Sequence, residues 1–159
     1  VTNDVKPEPS APQPRKINPP HYFALALIAM GALRWAIDSP ALLGPFAWIG
    51  ILPIVAGGFV AVRAAGQFAK AGTNIVPLSR SSALVTDGMF ARSRNPMYSS
   101  MLAIVIGVAL LLDRTAPWIV VPIFFLVLRL HFVRHEERLM EATFGQAYRD
   151  YTTRVRRWL

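Results

Sequence analysis

Pro117-Trp118-Ile119-Val120-Val121-Pro122-Ile123-Phe124-Phe125-Leu126-Val127-Leu128-Arg129-Leu130-His131-Phe132-Val133 runs straight into Arg134-His135-Glu136-Glu137-Arg138-Leu139. The run 117–133 is almost wholly apolar, and at ~1.5 Å per residue it covers about 25 Å of a hydrocarbon core ~30 Å thick. No turn signal separates it from the charged stretch. The reading is therefore one helix that crosses the bilayer and continues out of it to about Thr143, with Gly145 as its C-terminal breaker.

Three further apolar runs fall at about 21–37, 46–62 and 97–112, and Tyr22, Trp35, Trp48 and Trp118 sit where interfacial aromatics belong. Of the 159 residues 53% are hydrophobic and 16% charged, against about a quarter charged in soluble domains. So little polar sequence cannot cover four buried helices in water. The expected fold is all-α, an integral membrane bundle of four transmembrane helices with a cytoplasmic C-terminal helical segment. Residues 1–20, with six prolines among polar residues, read as a disordered tail that buries too little apolar area to order itself. Residues 21–159 form the single domain.

The formal charge of +8 raises the question of nucleic acid. Here, however, the basic residues flank the apolar runs, with no aromatic-and-basic sheet motif or zinc-finger spacing, so no nucleic-acid partner is expected. They read as a topology signal instead. Lys6, Arg15 and Lys16 precede the first run; Arg63, Lys70, Arg80, Arg92 and Arg94 lie between the second and third; seven arginines follow from Arg129 onward. The connections 38–45 and 113–116 are nearly neutral. The positive-inside rule then places both termini and the segment 63–94 in the cytoplasm, for an inner (plasma) membrane protein. Arg34, near the outer end of the first run, is expected to snorkel.

The absence of cysteine removes disulfides, thiolate nucleophiles and cysteine-ligated metal. Small residues recur every fourth position at Gly57, Ala61 and Ala65 and at Ser99, Ala103 and Gly107, rows suited to close helix approach in lipid. Pro53 and Pro122 are expected to kink their helices.

Two segments carry chemistry. In Leu84-Val85-Thr86-Asp87-Gly88-Met89-Phe90-Ala91-Arg92-Ser93-Arg94-Asn95-Pro96-Met97-Tyr98, Asp87-Gly88 is a turn and Asn95-Pro96 a helix start with Asn as N-cap. The free N–H groups there, beside Arg92 and Arg94, suit an anion. In the second segment Arg129 and Glu136, seven apart, lie near one face of a straight helix, with Glu137 turned about 100° away. Carboxylates this close to lipid need a cation, supplied by Arg134 and Arg138 or by a ligand. His131 and His135 have metal-ligand spacing, but no third ligand is evident and no metal is expected.

The order Gly72-Thr73, Leu84-Val85-Thr86-x-Gly88, Arg94-x-Pro96-x-Tyr98, an apolar hairpin, Glu136-Glu137 and Phe144-Gly145-x-x-Tyr148-x-x-Tyr151 resembles the isoprenylcysteine carboxyl methyltransferase family and the related membrane phospholipid methyltransferases over about residues 66–158. The resemblance implies an S-adenosylmethionine-dependent enzyme whose cofactor sits in a cytoplasm-facing pocket of the last helices. It implies cofactor contacts at Arg94, Asn95, Pro96, Tyr98, Glu136, Glu137 and Tyr148, with Asn95 standing where the family has His. Arg129 or Arg134 is the candidate for orienting an anionic acceptor. The acceptor would be lipophilic or lipid-modified (a prenylcysteine-like carboxylate, a thiol or an amine), reaching the site from the membrane lipid. Two rivals remain: an NADPH-dependent sterol-reductase-type protein, which usually has more spans, and a non-catalytic membrane protein or transporter, which should carry mid-membrane charges.

Overall fold

The computed structural model describes residues 18–72 and 83–158. These form helices α1 (Pro19–Ala36), α2 (Ile51–Lys70), α3 (Pro96–Leu112), α4 (Val120–Val127), α5 (Arg134–Phe144) and α6 (Gln146–Arg154). Short 3-10 turns at Gly44–Gly50 and Ala116–Ile119 lead into α2 and α4, and another at Gly88–Ala91 precedes α3. No strand occurs among the described residues, only an isolated bridge between Ser93 and Arg156. Thr73 of the sequence motif lies outside the described residues.

The helix boundaries correct the sequence reading in three places. α1 begins at Pro19, inside the stretch expected to be a disordered tail. Proline is pre-organised for a first helical turn and needs no partner for an N–H there; residues 1–17 lie outside the described set. α2 continues past Arg63 to Lys70, because nothing in Ala64–Lys70 breaks it and its last turns have partners. Phe68 meets Phe90 edge-on at 4.8 Å, and the Gln67 side chain donates to the Asp87 carbonyl and accepts from the Met89 N–H, both at 2.9 Å. Gly88 (φ +55°) lies so close to Gln67 that a Cβ would overlap its amide. The fourth helix runs without interruption to Phe144, as read, and Gly145 (φ +52°) ends it. It does so through a π-helical turn at Leu128–Val133. Across a turn with i→i+5 bonding the seven-residue spacing of Arg129 and Glu136 no longer sets one face.

α3 is the central helix, packed along α2 on one side and touching α1 and α4 on the other. The core between α1, α3, α4 and the π turn is apolar, with Met30, Val105, Leu128 and Val133 fully buried. Against α2 the seam is built of small residues seven apart. A Cβ on Gly57 would lie 2.7 Å from the Ser100 carbonyl oxygen, and one on Gly107 would lie 2.6 Å from Ile54 Cγ1. Gly50 opposes Gly107, and Ala64 is fully buried. The close approach is thus of the kind expected, and the glycines that carry it are Gly50, Gly57 and Gly107. Helices that stay in contact over several turns repeat every seven residues.

The two neutral connections interlock. Asp113 adopts a left-handed conformation (φ +49°) and its carboxylate accepts N–H bonds from Leu42, Leu43 and Gly44 at 2.7–3.2 Å. These bonds, that of Leu43 foremost, hold its pKa below the usual carboxylate range. Arg34 Nε donates to the Leu112 carbonyl at 3.2 Å, so this arginine fastens the end of α3.

Two helical stretches, Gly44–Lys70 and Ala116–Phe144, are long and apolar enough to cross a membrane; Pro96–Leu112 is apolar but shorter. The expected count of four spans therefore does not follow from length and hydropathy. α2 leaves Leu52, Val55, Phe59 and Val62 more than half exposed, an apolar face of the kind that marks contact with a membrane or a partner.

Candidate active site

The chemistry-bearing segments meet at the arginine-rich end of the bundle. Asn95 occupies the N-cap position of α3 and Pro96 the first turn, but the Asn95 side chain makes no capping bond. Its Nδ2 donates to the Arg157 carbonyl at 3.1 Å instead, and its backbone N–H donates to Ser93 Oγ at 3.1 Å. Pro96 is buried, as is Tyr98 one turn into α3.

The adjacent glutamates divide their work. Glu136 Oε1 accepts the Tyr98 hydroxyl at 2.6 Å. Glu137 is met by Arg94 at 3.2 Å and by Arg157 at 2.9 and 2.7 Å, the latter pair bidentate. The expected cations, Arg134 and Arg138, are not those partners. Arg134 precedes the glutamates by two and three residues, Arg138 follows Glu137 directly, and both are exposed, whereas Arg94 and Arg157 arrive from elsewhere in the chain with better fork geometry. Glu137 keeps only 15% of its side chain exposed, so its neutralisation matters more than a surface pair would.

Between α5 and α6 a pocket of about 330 Å³ opens, within the ~300–1,000 Å³ usual for small-molecule sites. Arg94, Arg134, Glu137 and Tyr148 line it, together with Arg138, Glu141, Arg149, Thr152 and Arg157. Burial raises the Tyr148 phenol above its ordinary pKa, Glu137 adds to the rise, and Arg94 and Arg157 oppose it. Tyr151 is pushed up to about 12, chiefly by burial, and its hydroxyl donates to the Phe90 carbonyl at 2.6 Å, tying α6 to the turn before α3. Tyr148, Tyr151 and Val155 make a small second core with Leu84, Met140 and Phe144.

Arg94, Arg134, Glu137 and Tyr148 thus share one pocket. Asn95, Pro96, Tyr98 and Glu136 stand beside it at the foot of α3. Arg129 does not line it: it sits half-buried on the π turn, its Nε without a hydrogen-bond partner. The sequence reading missed Arg157, Glu141, Arg149 and Thr152, and gave Arg138 only as a counter-ion of the glutamates. The only signal for Arg157 was a basic pair before Trp158 at the end of the chain. Among the described residues no group of three metal-ligating side chains gathers.

The fold and site are those of a helical bundle with two helices apolar enough to cross a membrane and a charged pocket at one end. The chain belongs to the phospholipid methyltransferase family, whose model matches residues 45–147. This is a family of membrane methyltransferases, within the same superfamily as the isoprenylcysteine enzymes. A curated relative from Haemophilus influenzae, an uncharacterized protein, is 41% identical over 63 residues, which are 40% of this chain and 100% of that one. No solved structure matches.

Proposed function

We propose that the protein is an S-adenosylmethionine-dependent methyltransferase acting on a lipophilic or lipid-modified acceptor, with four membrane spans and the pocket on the cytoplasmic side. The observation that carries this reading is the convergence of Arg94, Glu137 and Tyr148, from three separated segments, on one pocket at the end of an apolar bundle. The residues present fit such a cofactor. Arg94 Nε is buried without a hydrogen-bond partner among the described residues, an orphaned donor that a carboxylate satisfies. Glu136, which accepts the Tyr98 hydroxyl, brings negative charge beside the pocket for the cofactor's cationic groups, and the aromatic face of Tyr148 suits a purine.

The cofactor supplies an electrophilic methyl on a sulfonium. The protein's part is alignment, since an in-line displacement gains most from holding the reacting groups in place. Arg94 and Tyr148 hold one side of the pocket. Tyr98, bonded to Glu136, and Pro96 fix the foot of α3 where apolar core and pocket meet. Arg134 and, from the π turn, Arg129 are proposed to orient an anionic acceptor arriving through the lipid. A carboxylate or thiolate acceptor needs no general base.

The test is calorimetric titration of the detergent-solubilised protein with S-adenosylhomocysteine and, separately, with NADPH. Binding of the first, weakened about tenfold or more by Glu136→Ala, is the expected result. Binding of NADPH alone overturns the proposal.

A further inference from the structure

The end of the chain returns to the pocket. After α6, Val155 is extended (φ −120°, ψ 131°), and residues 155–158 run as a strap beside 93–95. Ser93 bridges Arg156 in parallel register, and the Arg94 N–H donates to the Arg156 carbonyl at 2.9 Å. The Arg157 carbonyl accepts from Asn95 Nδ2 at 3.1 Å and from Ser93 Oγ at 3.4 Å. Ser93 is fully buried and Asn95 nearly so, so these bonds are shielded from competing water. Beyond them, the Trp158 ring packs on Phe125 of α4 at 5.3 Å. The strap is fastened on both sides of Arg157.

Its effect is to place the Arg157 guanidinium on Glu137. Both Glu137 oxygens are then engaged by the chain's own cations, Arg157 and Arg94. The pocket lining as a whole carries five arginines against two glutamates. Arg134 and Arg138 make no ion pair among the described residues. A wall so charged attracts carboxylate or phosphate and opposes a cation. Arg94 Nε, buried and unpartnered, marks where such an anion gains most.

We propose that Arg157, carried on the C-terminal strap and positioned by Asn95, completes with Arg94 a seat for the carboxylate end of the bound cofactor, Glu137 aiming the two guanidiniums instead of receiving a cation. The inference rests on the cofactor reading above and deepens it. Asn95 acts through Arg157, and is a positioning residue: its amide holds the strap carbonyl from the N-cap position of α3.

The experiment compares S-adenosylhomocysteine with its decarboxylated analogue, by calorimetry on the full chain in detergent. Arg157→Ala is expected to weaken the carboxylate-bearing ligand about tenfold while changing the analogue less than about twofold. Arg157→Lys, which keeps the charge and loses the fork, should fall between. Asn95→Ala should show the same selective loss to a smaller degree, and Asn95→His, which keeps an N–H donor, should recover it. Equal weakening of both ligands, or no weakening of either, overturns the seat. If the unaltered protein binds neither ligand, the cofactor reading fails, and inorganic phosphate decides on the seat separately. A thermal midpoint raised by phosphate over chloride, and not raised in Arg157→Ala, retains it; no such rise overturns it.

Discussion

Two adjacent glycines on α2 should respond to the same substitution with opposite signs. A Cβ on Gly57 would lie 2.7 Å from the Ser100 carbonyl oxygen and 2.9 Å from Ile104 Cγ1, whereas one on Gly58 meets nothing within 4 Å. The first neighbour is backbone of a packed helix and cannot rotate away, so α2 and α3 must separate. Overpacking of this kind costs about 1–3 kcal/mol. Alanine in place of glycine in a helix returns about 0.5–1 kcal/mol. Gly57→Ala should therefore lose about 1–2 kcal/mol, and Gly58→Ala should gain about 0.5–1 kcal/mol. The gap between the two variants, about 1.5–3 kcal/mol, is resolved by a reversible SDS titration in mixed micelles followed by tryptophan fluorescence and helicity. Gly107→Ala, whose Cβ would meet Ile54 and the Gly50 carbonyl, should behave like Gly57→Ala. Combined with it, the loss should be less than additive, because helices already pushed apart accommodate the second methyl. If Gly57→Ala proves as stable as the unaltered protein, or if both glycines respond alike, the seam described between α2 and α3 is wrong.

Removing the Tyr151 hydroxyl with Tyr151→Phe leaves the buried Phe90 carbonyl without that donor and should cost about 1–2 kcal/mol, seen as faster amide exchange in α6 and a lower thermal midpoint. The Asp113 staple should be pH-dependent. Its folded pKa is depressed, so its contribution is in place above the ordinary carboxylate value of about 4 and is lost as pH falls through the depressed one. Below about pH 4 the unaltered protein should therefore lose more stability than Asp113→Asn, a comparison of thermal midpoints at neutral and acid pH that fails if the two curves run parallel.

The helices were legible where apolarity alone decides them. The run 117–133 and its continuation to Gly145 follow from the absence of a breaker, and α3 from Asn95-Pro96 ahead of an unbroken apolar run. What was not legible depends on bonding partners far off in sequence. The extension of α2 to Lys70 rests on Phe68 and Gln67 meeting residues 87–90. The π turn at 128–133 is a choice of hydrogen-bond register that leaves no mark on composition. The small-residue rows were right in kind but omitted Gly50, because a four-residue repeat is visible on one helix, whereas the seven-residue seam is a property of two.

The site divides along the same line. Arg94, Glu137 and Tyr148 could be named from the order of motifs, and they do share a pocket. Their pairing could not, because a guanidinium three residues away on the same helix, as Arg134 is from Glu137, looks like the natural partner of a carboxylate. In the folded chain that local pair competes with arginines delivered by other segments at bidentate geometry, and loses. Asn95 makes the point most sharply. Asn before Pro reads as a capping residue, and it does stand at the N-cap. A buried amide goes to the strongest acceptor the tertiary structure brings within reach, though, and here that is the Arg157 carbonyl. The same side chain that local rules assign to starting a helix is thereby used to fasten the end of the chain. That is why the strap, and the charge it adds to the pocket, appear only once the fold is known.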